Sequence, residues 1–107
     1  MTTLNVKEIR ACFGNLRTFS RITGFSEKSI SQWEKGKPLG KPAAAKIKEV
    51  NRLKEYLVKV VGEDDIKEWM DTPNQAFENL KPIEVIERGE VDRIWQMIFF
   101  VESGVPT

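Results

Sequence analysis

Histidine is absent from the 107 residues of this sequence, and cysteine occurs once, at Cys12. The usual zinc ligand sets draw on several Cys and His side chains, and Ser–His or Cys–His nucleophile pairs need a histidine. A single cysteine cannot form a disulfide within the chain, which is typical of a cytoplasmic protein. We therefore predict a cytoplasmic location, no metal site and no cofactor.

Long apolar runs are also lacking. The longest, residues 97–101, is far too short to span a bilayer, and residues 1–10 lack the apolar core of a signal peptide. Hydrophobic residues make up 40% of the chain and charged residues 31%, which is typical of a folded chain and not of a disordered one. The length allows one domain or two very small ones.

Carboxylates are plentiful, but no pattern places a nucleophile, a base and an oxyanion donor together. Glu63, Asp64 and Asp65 are adjacent, yet they lack the alternating spacing and central glycine of a calcium loop. They fit the first turn of a helix, where the helix dipole favours negative charge. We predict that the protein is not an enzyme.

The net charge of +1 conceals two halves of opposite sign. Residues 1–61 contain 13 Lys and Arg against 5 Asp and Glu, a net charge of +8, whereas residues 62–107 contain 4 against 11, a net charge of −7. A basic half suits a polyanion such as nucleic acid, and an acidic half suits a different partner. Runs of like charge are usually just solvated faces, so the change of sign near Gly62 supports domains at 1–62 and 63–107 only together with the motifs on each side of it.

Every periodic segment is typical of a helix, so the sequence predicts an all-α fold. Asn5, Asn15 and Ser26 each stand where a helix can be capped, and Gly14, Gly24 and Gly36 follow as terminators. The second and third of these short helices are separated only by a tight turn at residues 24–26. That arrangement is a helix-turn-helix.

A longer helix is predicted over residues 42–61, starting at Pro42. Apolar residues recur along it at steps of three and four: Ile47, Val50, Leu53, Leu57 and Val60. This stripe fits either an internal core or a dimer seam, since it is short for a coiled coil.

The second half predicts four shorter helical stretches. The first covers residues 65–70, and the second starts with a cap at Thr72 followed by Pro73. The third runs from Lys81–Pro82 to Gly89, and the fourth covers residues 90–103. In the last, one side is expected to face inward: Val91, Ile94, Trp95, Ile98 and Phe99.

The third helix carries the candidate base-reading residues. In a helix-turn-helix the second helix of the motif lies in the major groove with its first residues against base edges. Lys28, Ser29 and Gln32 occupy that position on one face. Lys donates to guanine, Gln pairs with adenine and Ser with either, and Glu27 could accept from cytosine or simply stabilise the helix start. An ordinary solvated face is the alternative.

Candidate phosphate contacts surround this helix. Asn15 and Arg17 lie at the start of the second helix, where backbone amides and a cation can meet a phosphate. Lys35 and Lys37 flank Gly36 at the other end of the third helix. Such contacts would set affinity and salt dependence without reading sequence.

Residues 6–39 resemble the Cro/Xre repressor family. The matching positions are Phe19, Ser20, Gly24, Ser26, Ile30, Trp33, Glu34 and Gly36. Ser20 and Thr23 are more polar than is usual there, but both are small enough to pack. The resemblance implies that Glu34 forms an ion pair with Arg10 of the first helix. It also implies a Cro/Xre-like bundle that binds an operator in double-stranded DNA.

Residues 63–107 resemble the C-terminal toxin-binding domain of Xre/MbcA/ParS-type antitoxins. The resemblance is carried by Trp69, by the stretch from Pro73 to Phe77, by the helix start at Pro82-Ile83 and by a last helix that finishes near Gly104. Most apolar residues here are expected in a small helical core. Toxin contacts are expected at the C-terminal tail: Ser103, Gly104, Val105, Pro106 and Thr107.

The two resemblances together imply a homodimeric antitoxin that represses its own operon and neutralises a protein toxin. In this family the toxin is often of the RES-domain, NAD-degrading type. The tail would enter a cleft of the toxin, or it would be an ordinary frayed terminus. The alternative function is a plain Xre-family transcriptional regulator whose C-terminal half dimerises or senses a ligand, with a pocket among Trp69, Trp95 and Met97.

Overall fold

The structure is a computed structural model that describes residues 5–103. In these residues seven α-helices follow one another: α1 (Val6–Phe13), α2 (Leu16–Thr23), α3 (Glu27–Glu34), α4 (Lys41–Val60), α5 (Ile66–Met70), α6 (Pro82–Glu87) and α7 (Val91–Ser103). Single 3₁₀ turns lie at Glu63–Asp65 and Gln75–Phe77. The β-type pairing described is one isolated antiparallel bridge between Asn74 and Leu80. The predicted all-α fold is confirmed.

The predicted caps start the first three helices. The side-chain oxygens of Asn5, Asn15 and Ser26 accept from the backbone N–H groups of Glu8, Thr18 and Ser29, at 3.1, 2.9 and 3.1 Å. Each bond satisfies a donor that has no partner inside its own helix. Gly24 ends α2 in the left-handed conformation, with φ of 82°, which a side chain would disfavour.

A different residue from the one predicted begins the 3₁₀ turn after α5. Thr72 does not cap it, because its hydroxyl donates to the carbonyl oxygen of Glu68, at the end of α5. Asn74 is the cap instead, and its side-chain oxygen accepts from the backbone N–H of Ala76 at 2.9 Å. Glu78 and Asn79 then turn the chain with φ of 57° and 68°.

One hydrophobic core joins both halves of the chain. The apolar stripe of α4 lies inside it, since Ile47, Val50, Leu53 and Leu57 are buried. Helix α1 packs on α4 and α5, α2 on α6, and α4 on α7. The stripe is therefore core, and the dimer-seam alternative for it is wrong. The division into domains at residues 1–62 and 63–107 stays a prediction.

Candidate nucleic-acid interface and C-terminal surface

The angle between α2 and α3 is held by side chains of α2. The Ser20 hydroxyl donates to the carbonyl oxygen of Phe25 at 2.6 Å. The Thr23 hydroxyl donates to the carbonyl oxygen of Phe19 at 2.9 Å and accepts from the backbone N–H of Phe25 at 3.2 Å. The two polar residues thus satisfy backbone groups of a tight, partly buried turn, which accounts for their polarity.

Helix α3 presents the predicted base-reading residues outward to different degrees. Glu27 and Lys28 are exposed, whereas Ser29 and Gln32 are half-buried. The Ser29 hydroxyl oxygen accepts from the Ser26 hydroxyl at 3.0 Å, and the Gln32 side-chain oxygen accepts from Lys37 Nζ at 3.3 Å. Lys28 is therefore free to reach a base edge. Gln32 must exchange its weak hydrogen bond with Lys37 for a contact with a base.

The opposite face of α3 is anchored in the protein. Ile30 is fully buried, and Trp33 is half-buried with its ring edge-on to Phe25, the two centroids 5.0 Å apart. These apolar contacts hold the helix by its inner side. The polar outer side is left available for another molecule.

The ion pair between Arg10 and Glu34 is confirmed. Arg10 Nε and Nη2 donate to the two carboxylate oxygens of Glu34 at 2.7 and 3.3 Å. Arg10 Nη1 also donates to the carbonyl oxygen of Gly14 at 2.9 Å. Both side chains are mostly buried, at 19% and 14% exposure. The pair ties α3 to α1 with the two-bond geometry of a strong guanidinium–carboxylate contact.

The predicted phosphate contacts lie on the surface around α3. Asn15, Arg17, Lys35 and Lys37 are all exposed. Of the cations in the first half, only Arg10 and Arg21 form salt bridges with residues of the described part of the chain. The positive charge of this half is thus mostly uncommitted, as an electrostatic surface for a polyanion requires.

An ion pair that the sequence did not indicate joins the two halves. Arg21 of α2 donates from Nε and Nη2 to both carboxylate oxygens of Glu87 in α6, at 2.8 and 2.7 Å. These hydrogen bonds lower the pKa of Glu87 and raise that of Arg21. No local pattern could have found a pair separated by 66 positions.

The region after α4 builds its own aromatic and apolar packing into the shared core. Phe77 is buried, with the Trp69 ring edge-on to it at 6.4 Å. Ile83 is buried, and Leu80 packs at the margin. The positions of these residues agree with the prediction that most apolar residues of the second half lie in a small helical core. Trp95 lines a cleft near α4, and the lining of that cleft does not include Trp69 or Met97, so the pocket among these three residues stays a prediction.

The end of α7 exposes a patch of large apolar side chains, Phe99, Phe100 and Val101, here called the α7 apolar end. Their exposures are 53%, 55% and 55%. The prediction that Phe99 faces the core is wrong. Ile98 is the last buried residue of α7, so the shared core ends just before Phe99. Ser103 is exposed beside them, and the predicted contacts at Gly104, Val105, Pro106 and Thr107 lie outside the described residues.

The single thiol is not activated. Burial raises the pKa of Cys12, and its sulfur lies 3.9 Å from a carboxylate oxygen of Glu63. A thiolate would be disfavoured at such a place. No helix within residues 5–103 is both long and apolar enough to cross a membrane.

Comparison with known proteins agrees with this architecture. Residues 57–94 match the sequence profile of the antitoxin Xre/MbcA/ParS C-terminal toxin-binding domain. The predicted resemblance to Xre/MbcA/ParS-type antitoxins is confirmed. The matched residues run from the last turn of α4 to the first turn of α7, and so include the predicted boundary at Gly62.

Curated relatives and a solved structure extend the likeness along most of the chain. The sequence is 26% identical over 85 residues to the mycobacterial cidal antitoxin MbcA of Mycobacterium tuberculosis and of Mycobacterium bovis, covering 78% of this chain and 75% of the relative. A chain in the crystal structure of the M. tuberculosis MbcT–MbcA toxin–antitoxin complex superposes with a TM-score of 0.73 at 23% identity. That match covers 96% of this chain and 95% of the other, and it shows a shared fold.

Proposed function

We propose that this protein is the DNA-binding antitoxin of a toxin–antitoxin system, which binds and neutralises a protein toxin and represses its own operon. The observation that carries the proposal is the match of residues 57–94 to a toxin-binding domain. The relatives along most of the chain are antitoxins, and one relative of the same fold was solved in complex with its toxin. The toxins proposed as partners include those of the RES-domain type. Toxin binding and operon repression would both take place in the cytoplasm.

The toxin-binding surface is proposed at the α7 apolar end together with Ser103 and the tail, residues 104–107. Exposed apolar patches of this kind are typical of protein interfaces. Phe99 and Phe100 offer rigid aromatic anchors, and alanine scans find such anchors to dominate binding energy. Glu102, the next residue along the chain, adds a negative charge beside this patch.

Co-expression with the toxin encoded beside this protein tests the antitoxin activity. Wild-type protein should protect the cells, and Phe100→Ser should lose most of the protection because an interface anchor is removed. Phe100→Leu keeps an apolar anchor and should protect nearly as well. Phe100 is exposed, so neither variant should unfold the chain. If wild-type protein fails to protect cells or to bind the toxin, the plain Xre-family regulator replaces the antitoxin.

The DNA-binding surface is proposed on α3, with Lys28, Ser29, Gln32 and Glu27 towards base edges. Support comes from the anchored inner face of α3, its polar outer face and the uncommitted cations around it. Because helix-turn-helix proteins commonly bind as dimers to paired half-sites, we also propose a homodimer. Fluorescence anisotropy with DNA from upstream of the gene tests binding. A duplex with one of its half-sites scrambled should bind much more weakly.

A further inference from the structure

A cleft of about 320 Å³ opens where α2, α4 and α7 meet, and we call it the α2–α4–α7 cleft. Its floor is apolar and comes from both halves of the chain: Ile22 of α2, Val50 and Leu53 of α4, and Ile86 of α6. Trp95 of α7 forms one wall. The volume lies at the lower end of the range of small-molecule sites, about 300–1,000 Å³.

The Trp95 wall is held in place before any ligand arrives. The Tyr56 ring meets the Trp95 ring edge-on, with centroids 5.4 Å apart. The Arg52 guanidinium lies 5.4 Å from the centroid of the same ring. Contacts of this kind fix an aromatic side chain in one orientation. A ligand would therefore find a preformed apolar surface with a cation beside it.

Charges of both signs line the cleft. Lys46 and Arg52 supply two cations, and Glu49 and Asp92 supply two anions. Lys46, Glu49 and Arg52 follow one another at steps of three on α4, and Asp92 comes from α7. None of the four forms a salt bridge within residues 5–103. Their hydrogen-bonding capacity is open to a ligand, unlike that of Arg10 or Arg21.

We propose that the α2–α4–α7 cleft binds a small zwitterion with an apolar body, of the class of free amino acids with large apolar side chains. The body would lie on the floor and against Trp95. Its carboxylate would face Arg52 and Lys46, and its ammonium group Asp92 and Glu49. A simple anion would leave the two acids unpaired, and a simple cation would leave Arg52 and Lys46 unpaired. At ~30 Å³ per atom, the cleft holds about a dozen non-hydrogen atoms.

Three probes that share one ring separate these charge requirements: L-phenylalanine, phenylacetate and phenethylamine. Each is titrated into the ¹⁵N-labelled full chain, and the indole N–H signals of Trp33, Trp69 and Trp95 are followed by NMR. L-phenylalanine should shift the Trp95 signal with a dissociation constant of about 1 mM, as is reasonable for a small ligand in an open cleft. Each single-charge probe should bind about three- to fivefold more weakly, the loss expected for one exposed ion pair. The signals of Trp33 and Trp69 serve as internal controls.

Variants of the rim locate the binding. Arg52→Gln and Asp92→Asn should each weaken L-phenylalanine binding about three- to fivefold. Lys48→Gln, an exposed change elsewhere on α4, should leave it unchanged. Equal affinity for all three probes, equal shifts at all three tryptophans, or no shift at about 10 mM would overturn the proposal. A Trp95 signal that responds to the toxin and to none of the probes would also overturn it, in favour of a protein side chain. The measurement needs neither DNA nor toxin, so its outcome is independent of the proposed function.

Discussion

At the scale of single residues, Gln32 is the side chain of α3 that we propose as a reader of adenine. It lies one helical turn after Lys28, and its only described side-chain contact is a 3.3 Å bond from exposed Lys37. An amide that pairs with adenine by two hydrogen bonds discriminates against other bases by about 1–3 kcal/mol. Replacing it should therefore change specificity more than overall affinity.

Gln32→Ala is expected to lose roughly 1–3 kcal/mol of binding at one operator position and to relax the preference there. The measurement is a set of anisotropy titrations over operators with single base changes. Lys35→Ala is the matched control, because loss of a phosphate contact should weaken every operator alike and reduce the salt slope by about one. An equal loss for Gln32→Ala on all operators would show that Gln32 does not read a base.

Glu34 belongs to the same scale, because its role is to hold Arg10. Glu34→Gln keeps the shape but removes the charge and one of the two acceptor oxygens, so that a mostly buried guanidinium keeps only a neutral amide oxygen and the Gly14 carbonyl oxygen as partners. We expect the free energy of unfolding to fall by about 1–3 kcal/mol, as for a charged hydrogen bond left partly unsatisfied. Urea denaturation of both single variants and the double variant Arg10→Gln/Glu34→Gln measures the coupling. Strictly additive effects would mean that the contact contributes nothing.

At the scale of helices, the contact between α2 and α6 links the proposed DNA-binding and toxin-binding regions. Its polar part is the two-bond pair of Arg21 and Glu87, with side-chain exposures of 39% and 37%. Solvent screens a pair this exposed, so a contribution of about 0.2–1 kcal/mol is reasonable.

The contribution of the Arg21–Glu87 pair to the stability of the fold should depend on pH. The pKa of Glu87 is lowered in the folded protein by the hydrogen bonds from Arg21. A lowered carboxyl pKa means that the stabilisation is present above the unfolded pKa, about 4.3, and is lost as pH falls through the folded value. Arg21→Gln should lower the melting temperature by about 2–5 °C at pH 7 and by much less near pH 3. A difference that stays constant between these pH values would contradict the assignment.

At the scale of the whole molecule, the shared core predicts one cooperative unfolding transition. Buried residues of α1, α2 and α4 pack with those of α5, α6 and α7 in one cluster. Small single domains with one core usually unfold in an all-or-none manner. The division of charge between the halves therefore marks two surfaces, and the core beneath them is common to both.

Tryptophan fluorescence and circular dichroism test this cooperativity. Trp33 reports on the first half, and Trp69 and Trp95 report on the second. Trp33→Phe leaves only the tryptophans of the second half, and the double variant Trp69→Phe/Trp95→Phe leaves only Trp33. In each variant, the tryptophan fluorescence should change at the same urea concentration as the circular dichroism signal of its helices. Separate midpoints within one variant would show that residues 1–62 and 63–107 fold independently, as the sequence alone predicts.

The sequence by itself determined the features that depend on neighbours along the chain. The caps at Asn5, Asn15 and Ser26, the turn at Gly24 and the apolar stripe of α4 follow from residues within four positions of one another, the range over which a helix makes its own contacts. The pair of Arg10 and Glu34 was also predicted, through the family resemblance. The shorter of its two hydrogen bonds is 2.7 Å long.

Only the tertiary structure decided the features that join distant parts of the chain. The α4 stripe fits a core or a dimer seam equally well, and the packing of α1 and α7 on α4 makes it core. Phe99 shares the period of the buried face, but the shared core ends before it, and so it lies exposed. Arg21 meets Glu87 because α2 packs on α6, and the floor and wall of the α2–α4–α7 cleft meet because α2 and α7 both pack on α4. Helical periodicity shows which residues share a face, whereas only packing shows what that face contacts.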